Sequence, residues 1–342
     1  MDIEVQEQLM QIGYFKIEEL SLGEYEVIES NSGSNYVSNP VPYKVTVIAG
    51  TTQTLRITNN RKTGAIRLIK VDSRDNRTPI SGCTFEVYSS EDDYQNKIAT
   101  ATTSSAGIIE FSNLRVGYTY KIREVSSNEW YVLDSTDREL ILNDETQSDI
   151  IITNRIKTAQ IKVVKMDVDY NEFKLENVEF QIYEDTNKNG KVDIGEKVVD
   201  TIITNSQGIA ISRELPIDKE YIVLESKTKD DYHLNTTTQK VTFTPADYKR
   251  ITTLTFTNKK KEGQIHLTKV DLDNHNVLLG HVSFMIYSEE LKSWIKYNDN
   301  TKIWDRTSRD DKDAIYYSNV NAEIFWEHLR VRKLPNFRIR NK

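Results

Sequence analysis

The pattern of apolar and polar positions along this chain keeps returning to one stretch. Ala65–Asp72 reads AIRLIKVD, Gln160–Asp167 reads QIKVVKMD, and Gln264–Asp271 reads QIHLTKVD. Each alternates strictly, which is the period of a half-buried β-strand. Ile66, Leu68 and Lys70 share one face, as do Ile161, Val163 and Lys165, and Ile265, Leu267 and Lys269. If the apolar residues face a core, so does the lysine. A lysine there is costly unless it is paired or neutralised.

The rest of the chain repeats around these stretches. The lysines are 165 − 70 = 95 and 269 − 165 = 104 residues apart, the period of tandem domains rather than of a solenoid. A second alternating strand follows each: Cys83–Tyr88, Val178–Tyr183 and Val282–Tyr287. Gly-containing turns then lead into another strand, in Thr103–Leu114 and Thr204–Leu215. Next comes an apolar row ending in glutamate: Tyr118, Tyr120, Ile122 and Glu124; Tyr221, Val223 and Glu225; and, near the start, Tyr25, Val27 and Glu29. A closing row ends in asparagine: Leu55, Ile57 and Asn59; Ile150, Ile152 and Asn154; Leu254, Phe256 and Asn258. The predicted units are therefore residues 1–62, 63–157, 158–261 and 262–342. The first begins mid-unit, with Glu29 and Asn59 but no lysine strand. The last begins normally with Lys269 but diverges, and Asn341 falls at the glutamate position. The whole reads as a segment of a longer protein, with half-units at both ends that each expose half a core.

Composition narrows the class. Thr, Ile, Val and Tyr are frequent and there are only six prolines, which favours strands. Charged residues make up 28% and no apolar run is long enough to span a membrane as a helix. A net charge of −7 argues against a nucleic-acid partner. No signal peptide is visible in Met1–Met10, and the tail has no sorting signal or hydrophobic anchor. The single cysteine, Cys83, excludes an intramolecular disulfide and reads as a buried thiol.

Each complete unit thus sets one Lys, one Glu and one Asn on core faces. Burial lowers an amine's pKa and raises a carboxyl's. A neutral amine is a nucleophile, and a protonated carboxyl can polarise an amide carbonyl and shuttle protons. Held at contact distance, the amine can attack the amide, expel ammonia and leave an isopeptide bond.

With these residues in view, residues 63–261 resemble two tandem collagen-adhesin B-type domains, the prealbumin-like modules of Gram-positive surface adhesins and pilins. The matching pieces are LIKVD, PISGCTFEVY, AGIIEFSNLRVGYTYKIRE and IITN, then VVKMD, VEFQIY, QGIAI, EYIVLE and FTN. The resemblance implies an all-β, Ig-like sandwich whose first and last strands are cross-linked. It implies Lys70 and Lys165 as nucleophiles, Asn154 and Asn258 as acceptors, and Glu124 and Glu225 as catalytic acids. Glu29, Asn59 and Lys269 belong to incomplete sites. The expected role is a structural stalk of an extracellular, cell-wall-attached protein, contacting its neighbouring domains. The alternative is an adhesive module that binds a host matrix protein such as collagen. A turnover enzyme is not expected; the only catalysis implied is intramolecular and single-turnover.

A second signal is DTNKNGKVDIGE, Asp185–Glu196. Asp185, Asn187, Asn189, the Lys191 carbonyl, Asp193 and Glu196 fit the ligand positions of a twelve-residue calcium loop, with Gly190 at its sharp turn. The flanks look like strands, not the helices of an EF-hand, and an Asn/Asp/Gly-rich hairpin turn has the same composition. Ca2+ is the one cofactor expected. The five histidines show no metal spacing, and Trp294, Trp304 and Trp326 read as core or partly exposed residues of the truncated last unit.

Overall fold

A computed structural model describes residue 14, residues 16–330 and residues 338–341. Met1–Met10, where the signal-peptide reading falls, lies outside them, as do residues 331–337. The described chain is built of β-strands with three short 3-10 turns, and it divides into two compact units, Met1–Arg155 and Ile156–Lys342.

In the first compact unit, Gly23–Val27 and Tyr43–Val47 form an antiparallel pair. Beyond it, two sheets enclose a core. The lysine strand Thr63–Asp72 is central in a three-stranded sheet, antiparallel to Ile108–Arg115 on one edge and parallel to Gln147–Asn154 on the other. The second sheet orders Lys97–Thr102, Thr84–Ser89, Thr119–Ser126 and Arg138–Ile141. Alternation decides which side chains meet: Ile66, Leu68, Phe85, Val87, Phe111, Tyr120, Ile122 and Ile152 form the buried cluster. Cys83 lies fully buried within it.

The second compact unit repeats this plan. Thr158–Asp167 is antiparallel to Ile209–Ile211 and parallel to Ile251–Asn258. The facing sheet orders Val198–Ile203, Glu179–Glu184, Glu220–Lys227 and Gln239–Thr242. Phe180 and Phe256 meet across the core, with ring centroids 4.9 Å apart. A parallel pairing of neighbouring strands needs a long connection; here the whole of each domain is that connection.

Two expectations need correction. Leu55 is 39% exposed, and residues 51–60 form no ladder among the described residues, so the row Leu55, Ile57 and Asn59 does not close a core. A closing strand is buried by the lysine strand beside it, and none lies there among the described residues. The last unit, by contrast, has a core of its own. Phe284, Ile286, Ile295, Trp304, Ile324 and Trp326 cluster between the pair Glu262–Thr268 with Glu323–Arg330 and a five-stranded sheet. That sheet gains its extra strand from the hairpin of Ser293–Asn298 with Ile303–Thr307. Trp304 and Trp326 are the core residues expected, while Trp294 packs edge-on against Tyr287.

Candidate functional site

The strand pairings bring the two predicted trios together. Parallel register sets Lys70 opposite Ile152 and Asp72 opposite Asn154, while antiparallel register sets Glu124 opposite Phe85. Lys70 is 0%, Glu124 1% and Asn154 2% exposed. Lys70 Nζ donates to Asn154 Oδ1 at 2.6 Å and to Glu124 Oε2 at 3.2 Å. Asn154 Nδ2 donates to Glu124 Oε1 at 2.8 Å and to Ser127 Oγ at 2.9 Å. The carboxylate therefore bridges the lysine amine and the asparagine amide nitrogen.

The second trio has the same wiring. Lys165 Nζ donates to Asn258 Oδ1 at 2.6 Å and lies 3.0 Å from Glu225 Oε2. Asn258 Nδ2 donates to Glu225 Oε1 at 2.5 Å and to Thr228 Oγ1 at 2.7 Å. Burial pushes both lysine amines below their ordinary pKa, an effect the neighbouring glutamate partly opposes. Chemically, each site holds a nucleophile with increased neutral character, an oriented amide and a proton carrier, shielded from water.

The backbone of each lysine is clamped. Lys70 N donates to Gly107 O and Lys165 N to Gly208 O, both at 2.7 Å. Both glycines have positive φ, and a Cβ on either would come within 2.4 Å or less of the lysine carbonyl oxygen, so only glycine fits. A second clamp joins the residue two beyond each lysine to a tyrosine. Tyr131 Oη donates to Asp72 Oδ2 at 2.8 Å, and Tyr232 Oη donates to Asp167 Oδ2 at 3.0 Å. Sequence reasoning missed these hydroxyls, yet their offsets recur: Ser127 and Thr228 three residues after the glutamate, Tyr131 and Tyr232 seven after it. Ser32 and Tyr36 stand at the same offsets from Glu29.

The incomplete sites differ. Asn59 Nδ2 donates to Glu29 Oε1, and Asn39 N donates to Glu29 Oε2 at 2.9 Å. Lys269 is half-buried, and the position opposite Phe284 is taken by Asn341, where Glu124 stands opposite Phe85 and Glu225 opposite Phe180. The structure therefore gathers no third glutamate–lysine–asparagine set around Lys269 among the described residues.

In the Asp185–Glu196 loop the donors are hard oxygens, as a calcium ion requires. Asp185 is 2% exposed and accepts from Asn189 N at 3.1 Å and Gly190 N at 2.9 Å, with Lys240 Nζ 3.8 Å away. Asn187 Nδ2 and Asn189 Nδ2 both donate to Asp193 Oδ2, and Glu196 accepts from Thr186 N and Asp193 N. Lys191 N donates to Asn189 Oδ1. Among the described residues no three His, Cys, Asp or Glu side chains converge as a metal cluster, so Asp185, Asp193 and Glu196 stand engaged in the loop's own hydrogen bonds.

A family model described as SpaA, prealbumin-like fold domain, matches residues 5–61, 64–156 and 159–260. Among solved structures, the Bacillus anthracis TIE protein is similar at 23% identity and a TM-score of 0.54, over 85% of this chain and 47% of that one. This chain thus spans about half the length of that relative. A streptococcal ancillary pilin aligns at 20% identity over 71% of this chain and 76% of its own, with a TM-score of 0.27. GBS52, the minor pilin of Streptococcus agalactiae, aligns at 21% identity over 58% of this chain and 96% of its own, with a TM-score of 0.25. No curated protein matches the chain. At these identities the structural likeness is one of fold.

Proposed function

Since this chain belongs to the SpaA prealbumin-like fold domain family, we propose that it is a structural stalk segment of a Gram-positive surface adhesin or pilus-like protein. Its two complete domains are closed by autocatalytic Lys70–Asn154 and Lys165–Asn258 isopeptide bonds. The observation that carries this reading is the 2.6 Å approach of each lysine Nζ to its asparagine Oδ1 in a buried, glutamate-bridged site.

The neutral lysine amine attacks the asparagine Cγ while the glutamate takes up its proton. The same carboxyl then delivers a proton to the leaving Nδ2, the Cγ–Nδ2 bond breaks, and ammonia departs. Proximity and orientation supply most of the rate. The bond closes a loop of 84 residues in one domain and 93 in the other. By analogy with a disulfide closing such a loop, each adds on the order of 4–5 kcal/mol. Because the joined strands are parallel neighbours, tension along the chain passes through the bond and unloads the fold between, as a stalk requires. The stalk's partners are neighbouring domains of the same surface assembly.

The Asp185–Glu196 loop is read as a calcium loop on its oxygen donors and its buried Asp185. Asp185, Asn187, Asn189, the Lys191 carbonyl, Asp193 and Glu196 would hold the ion, which would stiffen the Glu179–Ile203 hairpin.

The test is the intact mass of the purified chain. It should be short by two ammonia molecules, and Glu124→Ala and Glu225→Ala should each restore one. A mass equal to the sequence mass would overturn the reading.

A further inference from the structure

Inside the second compact unit, Lys260 lies between the domain of residues 158–261 and the last unit, and it is 2% exposed. It stands two residues beyond Asn258, outside the trio. Its Nζ donates to both carboxylate oxygens of Glu290, at 2.6 and 2.5 Å. The same Nζ lies 3.9 Å from Asp231 Oδ2 and 5.8 Å from the centre of the Tyr232 ring. Asp231 and Tyr232 belong to the preceding domain, Glu290 to the last unit. A buried ammonium is tolerated only where its charge is met, so these groups must stay together. The backbone is held as well. His233 N donates to Lys259 O and Lys261 N to Asp231 O, both at 2.9 Å, so residues 259–261 are paired rather than a free linker.

A second contact lies away from this joint. The extra strand of the last unit, Ile303–Thr307, is an edge of its five-stranded sheet, and an edge presents unpaired backbone groups. Tyr170 Oη, in the loop after Thr158–Asp167, donates to Trp304 O, and Arg306 Nη2 lies 2.8 Å from Glu172 Oε1. The added hairpin therefore reaches back to the domain before it.

The cation recurs in the first compact unit. Arg61, two beyond Asn59, has its guanidinium carbon 4.9 Å from the centre of the Tyr36 ring and 4.4 Å from that of Tyr118, and its Nη1 donates to Val116 O at 2.7 Å. Tyr36 stands seven beyond Glu29, as Tyr232 stands seven beyond Glu225, while Val116 and Tyr118 belong to the next domain. Two beyond Asn154 stands Ile156. The trio of Asn154 thus forms without such a cation, and the cation's work is at the joint.

We propose that Lys260 is the pin of a rigid joint that holds residues 158–261 and the last unit in one fixed orientation, with Tyr170 on Trp304 and Glu172 on Arg306 preventing rotation about it. Domains linked by a short segment ordinarily move against each other. Here any such movement draws Glu290 away from an ammonium that the fold shields from water. The exposed Glu172–Arg306 pair adds little by itself; the buried pair sets the orientation. The two domains then transmit tension as one body, with or without their cross-links.

The test is the distance distribution between nitroxide labels on the full chain, attached at Thr201→Cys and Val320→Cys, both exposed positions, with Cys83→Val removing the native thiol. The parent should give one narrow distribution. Lys260→Met keeps most of the stem and removes the charge; Glu290→Gln keeps the partner's shape. Each should widen the distribution about twofold, as loss of a buried pair frees the joint. The double variant should be no wider than either single one, because the two residues form one contact. Trp294, Trp304 and Trp326, three of the four tryptophans, lie in the last unit, so fluorescence reports whether its core survives. A broad distribution in the parent overturns the proposal, as does an unchanged width in both variants. If Lys260→Met disturbs that core, Glu290→Gln decides. If both disturb it, the contact supports the fold of the last unit rather than its orientation, and the proposal fails.

Discussion

Asn154 Nδ2 donates to Ser127 Oγ at 2.9 Å, and this bond decides which way the amide faces. With Glu124 as its second acceptor, the amide nitrogen has both hydrogens engaged. Oδ1 is left pointing at Lys70, and the amide nitrogen at Glu124. Thr228 plays the same part for Asn258. Removing either hydroxyl, as Ser127→Ala or Thr228→Ala, frees the amide to flip. Bond formation in that domain should slow roughly tenfold, the effect of about 1.4 kcal/mol on a barrier. Time-resolved mass after expression reads it. Ser127→Thr and Thr228→Ser should recover the rate, which a purely structural role would not require.

Glu124→Gln and Glu225→Gln keep the packing and remove the proton carrier. Each variant domain should fold without its cross-link and lose about 4–5 kcal/mol relative to the linked form. Denaturant unfolding measures the difference. Equal stability of linked and unlinked domains would contradict the loop-closure argument.

The unlinked domains should also differ in pH dependence. Burial lowers the folded-state pKa of Lys70 and Lys165 beneath the ordinary lysine value of 10.5, and without the glutamate that lowering is unopposed. The unfolded lysine then binds a proton that the folded one does not. Stability should rise with pH toward about 10.5 and be lost as pH falls below it, until the folded-state pKa is reached. In a linked domain the same nitrogen is an amide and does not titrate, so the slope should be absent. Unfolding of Glu124→Gln at a series of pH values against the parent protein checks the sign.

Gly107→Ala and Gly208→Ala should be among the most damaging small substitutions. The added Cβ would meet the lysine carbonyl oxygen at 2.4 Å and 2.3 Å, at positions whose φ is already positive. Either the turn or the lysine strand must move, at a cost of about 1–3 kcal/mol for strain of this kind. Since the same strand aims the nucleophile, the yield of the cross-link should fall with stability, and both appear in one mass and melting experiment.

Millimolar calcium should raise the melting temperature of the chain, by RT ln(1 + [L]/Kd) in stability. The Asp185→Ala, Glu196→Ala double variant should lose that rise. An unchanged melting temperature in the parent, or an equal rise in the variant, would dispose of the calcium reading.

What the sequence determined by itself was the face each residue takes. Side chains alternate along a strand, so Lys70, Glu124 and Asn154 could be assigned to the core from their neighbours alone, and recurrence in Lys165, Glu225 and Asn258 singled them out. Partner choice is another matter. Lys70 finds Asn154 across 84 residues because parallel register sets them two residues apart on the same face, and nothing in either stretch encodes that offset. The hydroxyls of Ser127 and Tyr131 recur at fixed offsets from the glutamate, but loop residues have no period to betray where their side chains point. Burial of the closing row also proved to be a property of the pair. Ile152 and Phe256 are buried beside a lysine strand, while Ile57, at the matching place in the same alternation, is only half-buried. Local alternation fixes a strand's two faces, but only a partner strand and a second sheet can turn one of them into a core.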